Sequence, residues 1–368
     1  MKAISPADGP VAVTGASGYI GSWTVYDLVR QGYRVHACVR DLANPAKVDH
    51  LTALNDDPGL RGRVELFRGD LFDRGSYDAA FADCSAVLHV GATVGYNRET
   101  PQQVYDGCYT ENDHVLASAR KSGTLRRFVF TSSFAAVSHP RPEGYVFTEK
   151  DWCGDNIKAY EGTWTADRIP ENRDLAYAMA KAATERMIYQ AAADDGSFAA
   201  MAILPVHVIG PLMCANHDQR NSWQQWIGFM MAGKQYQKTT GGRMLWNIVD
   251  VRDVATAHRL AAESTSAANG ARYILAARDR TGELFTRELQ QRLQELYPGV
   301  AAIGGEEMRV DRQGHRPAEP TYDKPRSYCL LAMQELGLVP HGADATIRAT
   351  VDSYYRLGLL PAADPPPS

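Results

Sequence analysis

This 368-residue sequence predicts a doubly wound α/β fold, a parallel sheet with helices on both faces, from three observations. The stretch Val11–Gly21 changes from an apolar strand pattern to a helical one across Gly15, Gly18 and Gly21. Short apolar runs and amphipathic helical runs then alternate along the chain, as crossover-connected parallel strands require. With 45% hydrophobic and 22% charged residues, the chain also has the apolar content to bury a large core.

In order, Val11–Val13 reads as the first strand and Ile20–Val29 as the first helix. Tyr33–Val39 alternates and is β-rich, ending at Arg40, and Val64–Phe67 stops just before Gly69-Asp70-Leu71. Ala86–Val90 leads into Gly91-Ala92-Thr93, and Arg127–Phe130 into Thr131-Ser132-Ser133, with a helical pattern over Gln103–Lys121 between them. Prolines and aromatics from His139 to Arg173 predict an irregular excursion; loops of that length inside a domain are usually functional, so it is expected to form a substrate wall. A helix over Arg173–Ala193 precedes the sixth strand, Ala200–Leu204. Beyond it the pattern predicts helices at Ser222–Ala232, Val251–Glu263, Glu283–Leu296 and Ala345–Arg356, with strands at Leu245–Val249 and Arg272–Ala276. The length suits a large single α/β domain or a nucleotide-binding domain with a smaller companion. A flexible tail over 359–368 is expected to follow.

The glycine stretch carries the first chemical signal. A strand turning directly into a helix needs a residue without Cβ at the turn, another where backbone approaches a pyrophosphate, and a third where helix packs on strand. The helix N-terminus then offers unpaired N–H groups to the phosphates. The second signal is Tyr177-x-x-x-Lys181, whose spacing puts both side chains on one helix face. A phenol ionises near pH ~10 and needs a nearby cation to act at neutral pH, which Lys181 is placed to supply. If Ser133 brings its hydroxyl to the same point, two donors could hold a substrate carbonyl while a nicotinamide delivers hydride. The third signal is Arg40 at the end of the second strand. An Asp or Glu there would accept from a ribose 2′-hydroxyl, whereas a guanidinium pairs with a 2′-phosphate. NADPH is therefore expected over NADH, although Asp41 would take that place if the strand register shifted by one.

With these residues in place, the chain resembles the extended short-chain dehydrogenase/reductases. Thr14-Gly-Ala-Ser-Gly-Tyr-Ile-Gly21, Thr131-Ser132-Ser133 and Tyr177-x-x-x-Lys181 carry the likeness, which runs from about Pro10 to about Gly358. Within that family it is similar to the dihydroflavonol reductase-like and yeast-type aldehyde (carbonyl) reductases. The resemblance implies a Rossmann domain over 10–205, a mainly substrate-binding region over 206–358 that sends segments back to it, and hydride transfer with Ser133, rather than Ser132, Tyr177 and Lys181 as catalytic residues, Tyr177 and Lys181 also contacting the cofactor and Lys181 binding the nicotinamide ribose. It implies cofactor contacts from Gly15, Ser17, Gly18, Tyr19, Ile20 and Gly21, from Arg40 with Lys47 as second basic group, and from Thr131. Asp70 and Leu71 match the adenine position, Val90, Gly91 and Ala92 the loop under the adenine ribose, and Pro205 and Val208 the segment closing on the nicotinamide. Asp250 and Asp253 are expected to cap and brace a helix. Tyr96, Phe134, Trp223, Trp226 and Phe229 are candidate substrate contacts, although aromatics at three-residue spacing equally suit a core.

The sequence departs from the family at several points. Glu111-Asn112-Asp113-His114 stands where relatives carry Gly-Thr-x-Asn, and His89, His114, His207 and His258 are expected to be hydrogen-bonded core residues. Phe134-Ala135-Ala136 lacks the asparagine of plant flavonoid reductases, and Tyr177 lacks the Asn-Trp-Tyr prefix of cinnamoyl-CoA reductases, so neither of those substrates is expected. The expected activity is reduction of an aldehyde or ketone with an apolar or aromatic body. A sugar-nucleotide epimerase is the alternative of the same fold and would need a diphosphate held by Arg220, Arg243 or Arg252. A dehydratase would need an acidic pair after the fifth strand, and an NADP-binding redox sensor would leave the Ser/Tyr/Lys set without a purpose.

Composition narrows the partners. A net charge of −4 without basic runs argues against nucleic acid. No apolar run reaches the ~18 residues of a membrane span, and Met1–Pro10 lacks a signal-peptide centre, so a cytoplasmic enzyme with a small-molecule substrate is expected. The six cysteines are scattered, giving neither a metal pair nor a disulfide framework.

Overall fold

The computed structural model describes residues 3–92, 100–138, 145–153, 173–218, 222–233, 245–300 and 327–361. Seven strands, β1 (Val11–Thr14), β2 (Arg34–Val39), β3 (Arg63–Arg68), β4 (Ala86–His89), β5 (Arg127–Thr131), β6 (Ala199–Pro205) and β9 (Ala271–Leu275), form one sheet in the order β3-β2-β1-β4-β5-β6-β9. All six pairings are parallel. Strand order reverses between β1 and β4, and a sheet of this kind opens a crevice beyond the carboxyl ends of the strands where that happens.

The two-residue period of the strands sorts side chains onto two cores. Val11 and Val13 of β1 and Met201 and Ile203 of β6 face α1 (Tyr19–Arg30) and α7 (Val251–Glu263). Ala12, Ala200, Ala202 and Leu204 face the opposite way, onto α4 (Pro101–Lys121) and α5 (Arg173–Asp195). Because both faces are covered, β6 is buried at every position, which is why Ala200–Leu204 reads as an unbroken apolar run. The helices themselves show one apolar stripe each: Val25, Leu28 and Val29 on α1, and Val254, Ala257 and Ala261 on α7.

A three-stranded sheet, β10 (Glu283–Phe285), β8 (Leu245–Asp250) and β7 (His207–Ile209), stands apart with its own core. That core draws on α6 (Trp223–Met231), α8 (Thr286–Leu296) and α10 (Ala343–Arg356) around the fully buried Trp246. Three boundaries differ from the sequence reading. Glu283–Phe285 is a strand antiparallel to β8, with Leu284 opposite Trp246, so α8 begins only at Thr286. His207–Ile209 pairs with Ile248–Asp250 although Pro205 interrupts the pattern before it. Leu360 is buried in the C-terminal core, so the chain is still packed beyond residue 358. Short helices α2 (Pro45–Thr52), α3 (Asp78–Phe81) and α9 (Leu330–Leu336) add to the expected set.

Asp250 accepts from Arg252 N at 2.9 Å and so caps α7, while Asp253 holds His341 N (2.8 Å) and Nδ1 (2.6 Å). All six cysteines are free thiols. Among the described residues no helix is long and apolar enough to cross a membrane.

Candidate active site

The crevice at the strand ends is a cleft of about 880 Å³, at the upper end of the range of small-molecule sites. Its floor is the glycine loop. Gly15 has φ +62°, and a Cβ there would lie 2.6 Å from Gly91 Cα, so the turn after β1 and the loop after β4 touch backbone to backbone. A Cβ on Gly21 would lie 2.1 Å from Gly15 O, which is how closely α1 packs on the loop. Gly18 caps α1 with no side-chain hydrogen bond. Ser17, Gly18, Tyr19 and Ile20 line the cleft there, presenting the positive end of the helix dipole to it. Thr14 fixes the neighbouring strand, its Oγ1 accepting from Gly91 N (3.0 Å) and meeting His89 Nδ1 at 2.7 Å. Burial, reinforced by the Lys181 charge, pushes the His89 pKa down to about 3, so the ring is neutral and structural.

Each expected cofactor residue lies on this one cleft: Gly15, Ser17, Gly18, Tyr19, Ile20, Gly21, Arg40, Lys47, Asp70, Leu71, Val90, Gly91, Ala92, Thr131, Tyr177, Lys181, Pro205 and Val208. Asn44 joins Arg40 and Lys47 there, its side chain capping α2 through Ala46 N (3.2 Å). His114 Nδ1 bonds Leu71 O at 2.9 Å and so supports the Asp70-Leu71 loop from α4.

At the other end, Ser133, Tyr177 and Lys181 line the same cleft. The two serines after β5 point different ways. Ser132 Oγ is buried and donates to Glu185 Oε2 at 2.8 Å, whereas Ser133 is half-buried and its Oγ accepts a local bond from Ala135 N at 3.1 Å. Lys181 is 6% exposed, and its Nζ donates to Thr131 O at 3.3 Å and lies 5.7 Å from the Tyr177 ring centre. Burial opposes its charge, yet Tyr177, Cys108, Glu111 and Glu185 together hold its pKa above the ordinary lysine value, so it stays an ammonium. Thr131 Oγ1 meets His258 Nε2 at 2.7 Å while His258 Nδ1 bonds Val254 O, and burial lowers that histidine to about 4.

The candidate substrate residues separate. Phe134 and Trp223 line the cleft. Trp226 and Phe229 do not: Trp226 is 6% exposed in the C-terminal core and Phe229 packs edge to face on it. Tyr96 and much of 139–173 lie outside the described residues, as do Arg220 and Arg243. Three wall residues escaped the sequence reading. His207 lines the cleft with its ring 4.3 Å from Trp223 and its Nδ1 accepting from Asn247 N at 3.0 Å, and Ser222 and Gln224 stand beside it. Arg252 is committed to Asp250 through Nε (2.9 Å) and Nη2 (2.7 Å).

Among the described residues, His50, Cys214 and His217 bring one ligand atom each within 4.8 Å of one another. Three of the four histidine ring nitrogens are already engaged. Ser22 Oγ, which donates to Ala16 O, lies 2.9 Å from His50 Nε2 and 3.2 Å from His217 Nε2, and His217 Nδ1 accepts from Met213 N. The two histidines therefore brace the glycine loop, through Ser22, against α2 and the 214–217 turn. Burial pushes His217 down to about 3 and lowers His50, keeping both neutral for that role.

Residues 11–276 match the NAD dependent epimerase/dehydratase family. A cinnamoyl-CoA reductase of Medicago truncatula is 31% identical over 352 residues, 93% of this chain and 94% of that one. A dihydroflavonol 4-reductase of Hordeum vulgare is 30% identical over 293 residues, 78% and 76% of the two chains. Among solved structures, the yeast methylglyoxal/isovaleraldehyde reductase Gre2, complexed with NADPH, superposes with a TM-score of 0.73 at 21% identity, over 95% of this chain and 100% of that one.

Proposed function

The chain belongs to the NAD dependent epimerase/dehydratase family, and within it we propose that it is an NADPH-dependent carbonyl reductase acting on an aldehyde or ketone with an apolar or aromatic body. The observation that carries this reading is that Ser133, Tyr177 and the charged, buried Lys181 share one cleft with the glycine loop and Arg40. The reductase names of the two relatives support it.

The residues present fit a dinucleotide phosphate. Cβ-free backbone at Gly18 leaves room at the α1 N-terminus for a pyrophosphate, Gly15 lets the loop lie against Gly91, and Arg40, Asn44 and Lys47 form the basic, hydrogen-bonding end for a 2′-phosphate. NADPH, when bound, supplies the hydride. Ser133 and the Tyr177 hydroxyl then hold the carbonyl oxygen, and Tyr177 delivers the proton that completes the alcohol. Lys181, fixed by Thr131 O, supplies the positive field beside the phenol. Phe134, Trp223 and His207 form the wall against the substrate body.

Absorbance of NADPH followed with a panel of aldehydes, ketones and sugar nucleotides tests the reading. Carbonyl-dependent oxidation is expected in the wild-type protein and its loss in Tyr177→Phe, with NADPH affinity kept within about twofold because only a hydroxyl is removed. Near-normal turnover by Tyr177→Phe, or turnover of sugar nucleotides alone, would overturn it.

A further inference from the structure

The turn that carries Ser133 is gripped from behind. Glu185, one helical turn beyond Lys181 on α5, is completely buried, and its carboxylate collects three donors. Ser132 Oγ reaches Oε2 at 2.8 Å, and Tyr189 Oη (3.0 Å) and Arg272 Nε (2.5 Å) reach Oε1. A buried carboxylate is costly unless donors, one of them charged, meet its lone pairs. Meeting that requirement ties the end of β5, α5 and β9 together at one point.

Arg272 carries a second grip. Its Nη1 donates to the carbonyl oxygens of Glu149 and Asp151, both at 2.7 Å, and its guanidinium lies 3.7 Å from the Trp152 ring centre. Glu149 Oε1 in turn accepts from Ile274 N at 3.1 Å. The segment 145–153 is thereby pinned to β9. Its other side meets the serine turn: Phe147 packs edge to face on Phe134 at 5.5 Å, and Cys153 N donates to Ala136 O at 2.7 Å. The turn 132–136 is thus held through Ser132 by Glu185 and through Phe134 and Ala136 by the pinned segment, and both holds converge on Arg272.

We infer that Glu185 and Arg272 are a positioning pair, setting the Ser133 hydroxyl and the Phe134 wall for hydride transfer. The inference rests on the carbonyl reductase reading above. Neither residue lines the cleft, so neither touches substrate or cofactor; the Glu185 charge also adds to the field that keeps Lys181 protonated, which Ser132→Ala leaves intact. The Ser133 hydroxyl must meet a carbonyl oxygen in register with Tyr177, and a displacement of about 1 Å costs on the order of a hundredfold in rate.

The test measures kcat, KM and the NADPH dissociation constant for Ser132→Ala, Glu185→Gln and the double variant, with Tyr177→Phe as control. Each single variant is expected to lower kcat roughly tenfold or more, leaving NADPH affinity within about twofold. The double variant should lose no more than the worse single one, because both cut the same tether. Wild-type kcat in Glu185→Gln would overturn the inference, as would losses that multiply in the double variant, which would make Ser132 act on its own. If Glu185→Gln does not fold, Arg272→Lys carries the decision: it keeps the charge and loses the planar fork. A lowered kcat with intact NADPH affinity then supports the pair, and an unchanged kcat sinks it. Full turnover in Tyr177→Phe would instead remove the reductase reading itself.

Discussion

Replacing Gly18 and Gly21 separately by alanine tells a glycine needed for a ligand from one needed for the fold. A Cβ at Gly18 would lie 3.2 Å from Gly15 O, so the loop must give by a few tenths of an ångström, and φ is ordinary for any residue there. Alanine is also a poorer helix cap than glycine, so Gly18→Ala should cost about 1 kcal/mol, a few degrees of Tm at most in a chain of this size. Its methyl group, however, enters the space over the α1 N-terminus that the proposed function gives to the pyrophosphate. We expect the NADPH dissociation constant to rise about 10- to 100-fold, a loss of about 1.4–2.7 kcal/mol. Gly21→Ala is the opposite case. Its Cβ would meet Gly15 O at 2.1 Å, Gly15 C at 2.8 Å and Ala16 Cα at 3.0 Å, all backbone, so α1 must move off the loop. Overpacking that cannot relax by side-chain rotation should cost about 3 kcal/mol or more. Thermal melts of the apo proteins and fluorescence titration with NADPH read the two effects apart. Unchanged NADPH affinity in a folded Gly18→Ala would refute the placement of the pyrophosphate at this helix end.

Arg40→Ala should raise the KM for NADPH roughly 10- to 100-fold, the worth of a charge-assisted contact, with little change for NADH; a preserved preference would move the phosphate contact to Lys47 and Asn44. Trp223→Ala should reorder a series of small and bulky ketones, whereas Trp226→Ala should cost about 3–5 kcal/mol of stability without reordering it, since only Trp223 lines the cleft; the reverse pattern in a ketone panel would reassign the wall. Asp253, by hydrogen bond and charge, raises the pKa of His341. The protonated ring is thus favoured in the fold, and its stabilisation is complete below the unfolded value of about 6.5 and lost as pH rises through the raised folded value. The Tm difference between wild type and His341→Ala should therefore be larger at pH 6 than at pH 9, and a difference flat across that range would contradict the assignment.

The parallel sheet was legible because both of its faces are buried. Strands such as Ala200–Leu204 then lose all polar alternation and stand out as apolar blocks, and the residues after each block, Gly15, Arg40, Asp70, Gly91 and Ser133, fall on the cleft by geometry alone. The small sheet was harder to read for the same physical reason inverted. Strand β10 has three partly exposed residues and runs straight into a helix, so its Glu283-Leu-Phe blends into the helical pattern; its pairing with Trp246 comes from a contact nearly forty residues away. Helix α2 has almost no apolar stripe, only Val48 and Leu51 being buried, and what defines it is the Asn44 cap followed by Pro45.

The site divides along a similar line. Groups that one element places were readable from spacing, as with Tyr177 and Lys181, one helical turn apart on α5. Groups defined by what lies across the fold were not. Spacing alone does not separate Ser132 from Ser133, and the family resemblance chose the second; both residues border the cleft, and the fold adds that Glu185 takes the buried hydroxyl of the first. In the same way His207 looked like any core histidine, yet Asn247 N on β8 holds its Nδ1 and Trp223 packs on its ring, which turns it into wall. The Trp223/Trp226/Phe229 stripe shows why periodicity could not decide. Three residues on one helix face share a direction, but α6 lies along the boundary between cleft and core, so its first turn meets the cleft while the following one is packed against Tyr354 through Gly228, where an added Cβ would come within 2.5 Å of that ring. A helix so pinned at Gly228 cannot rotate to offer Trp226 to a substrate, and the assignment of the wall to Trp223 follows from that contact and not from the aromatic pattern.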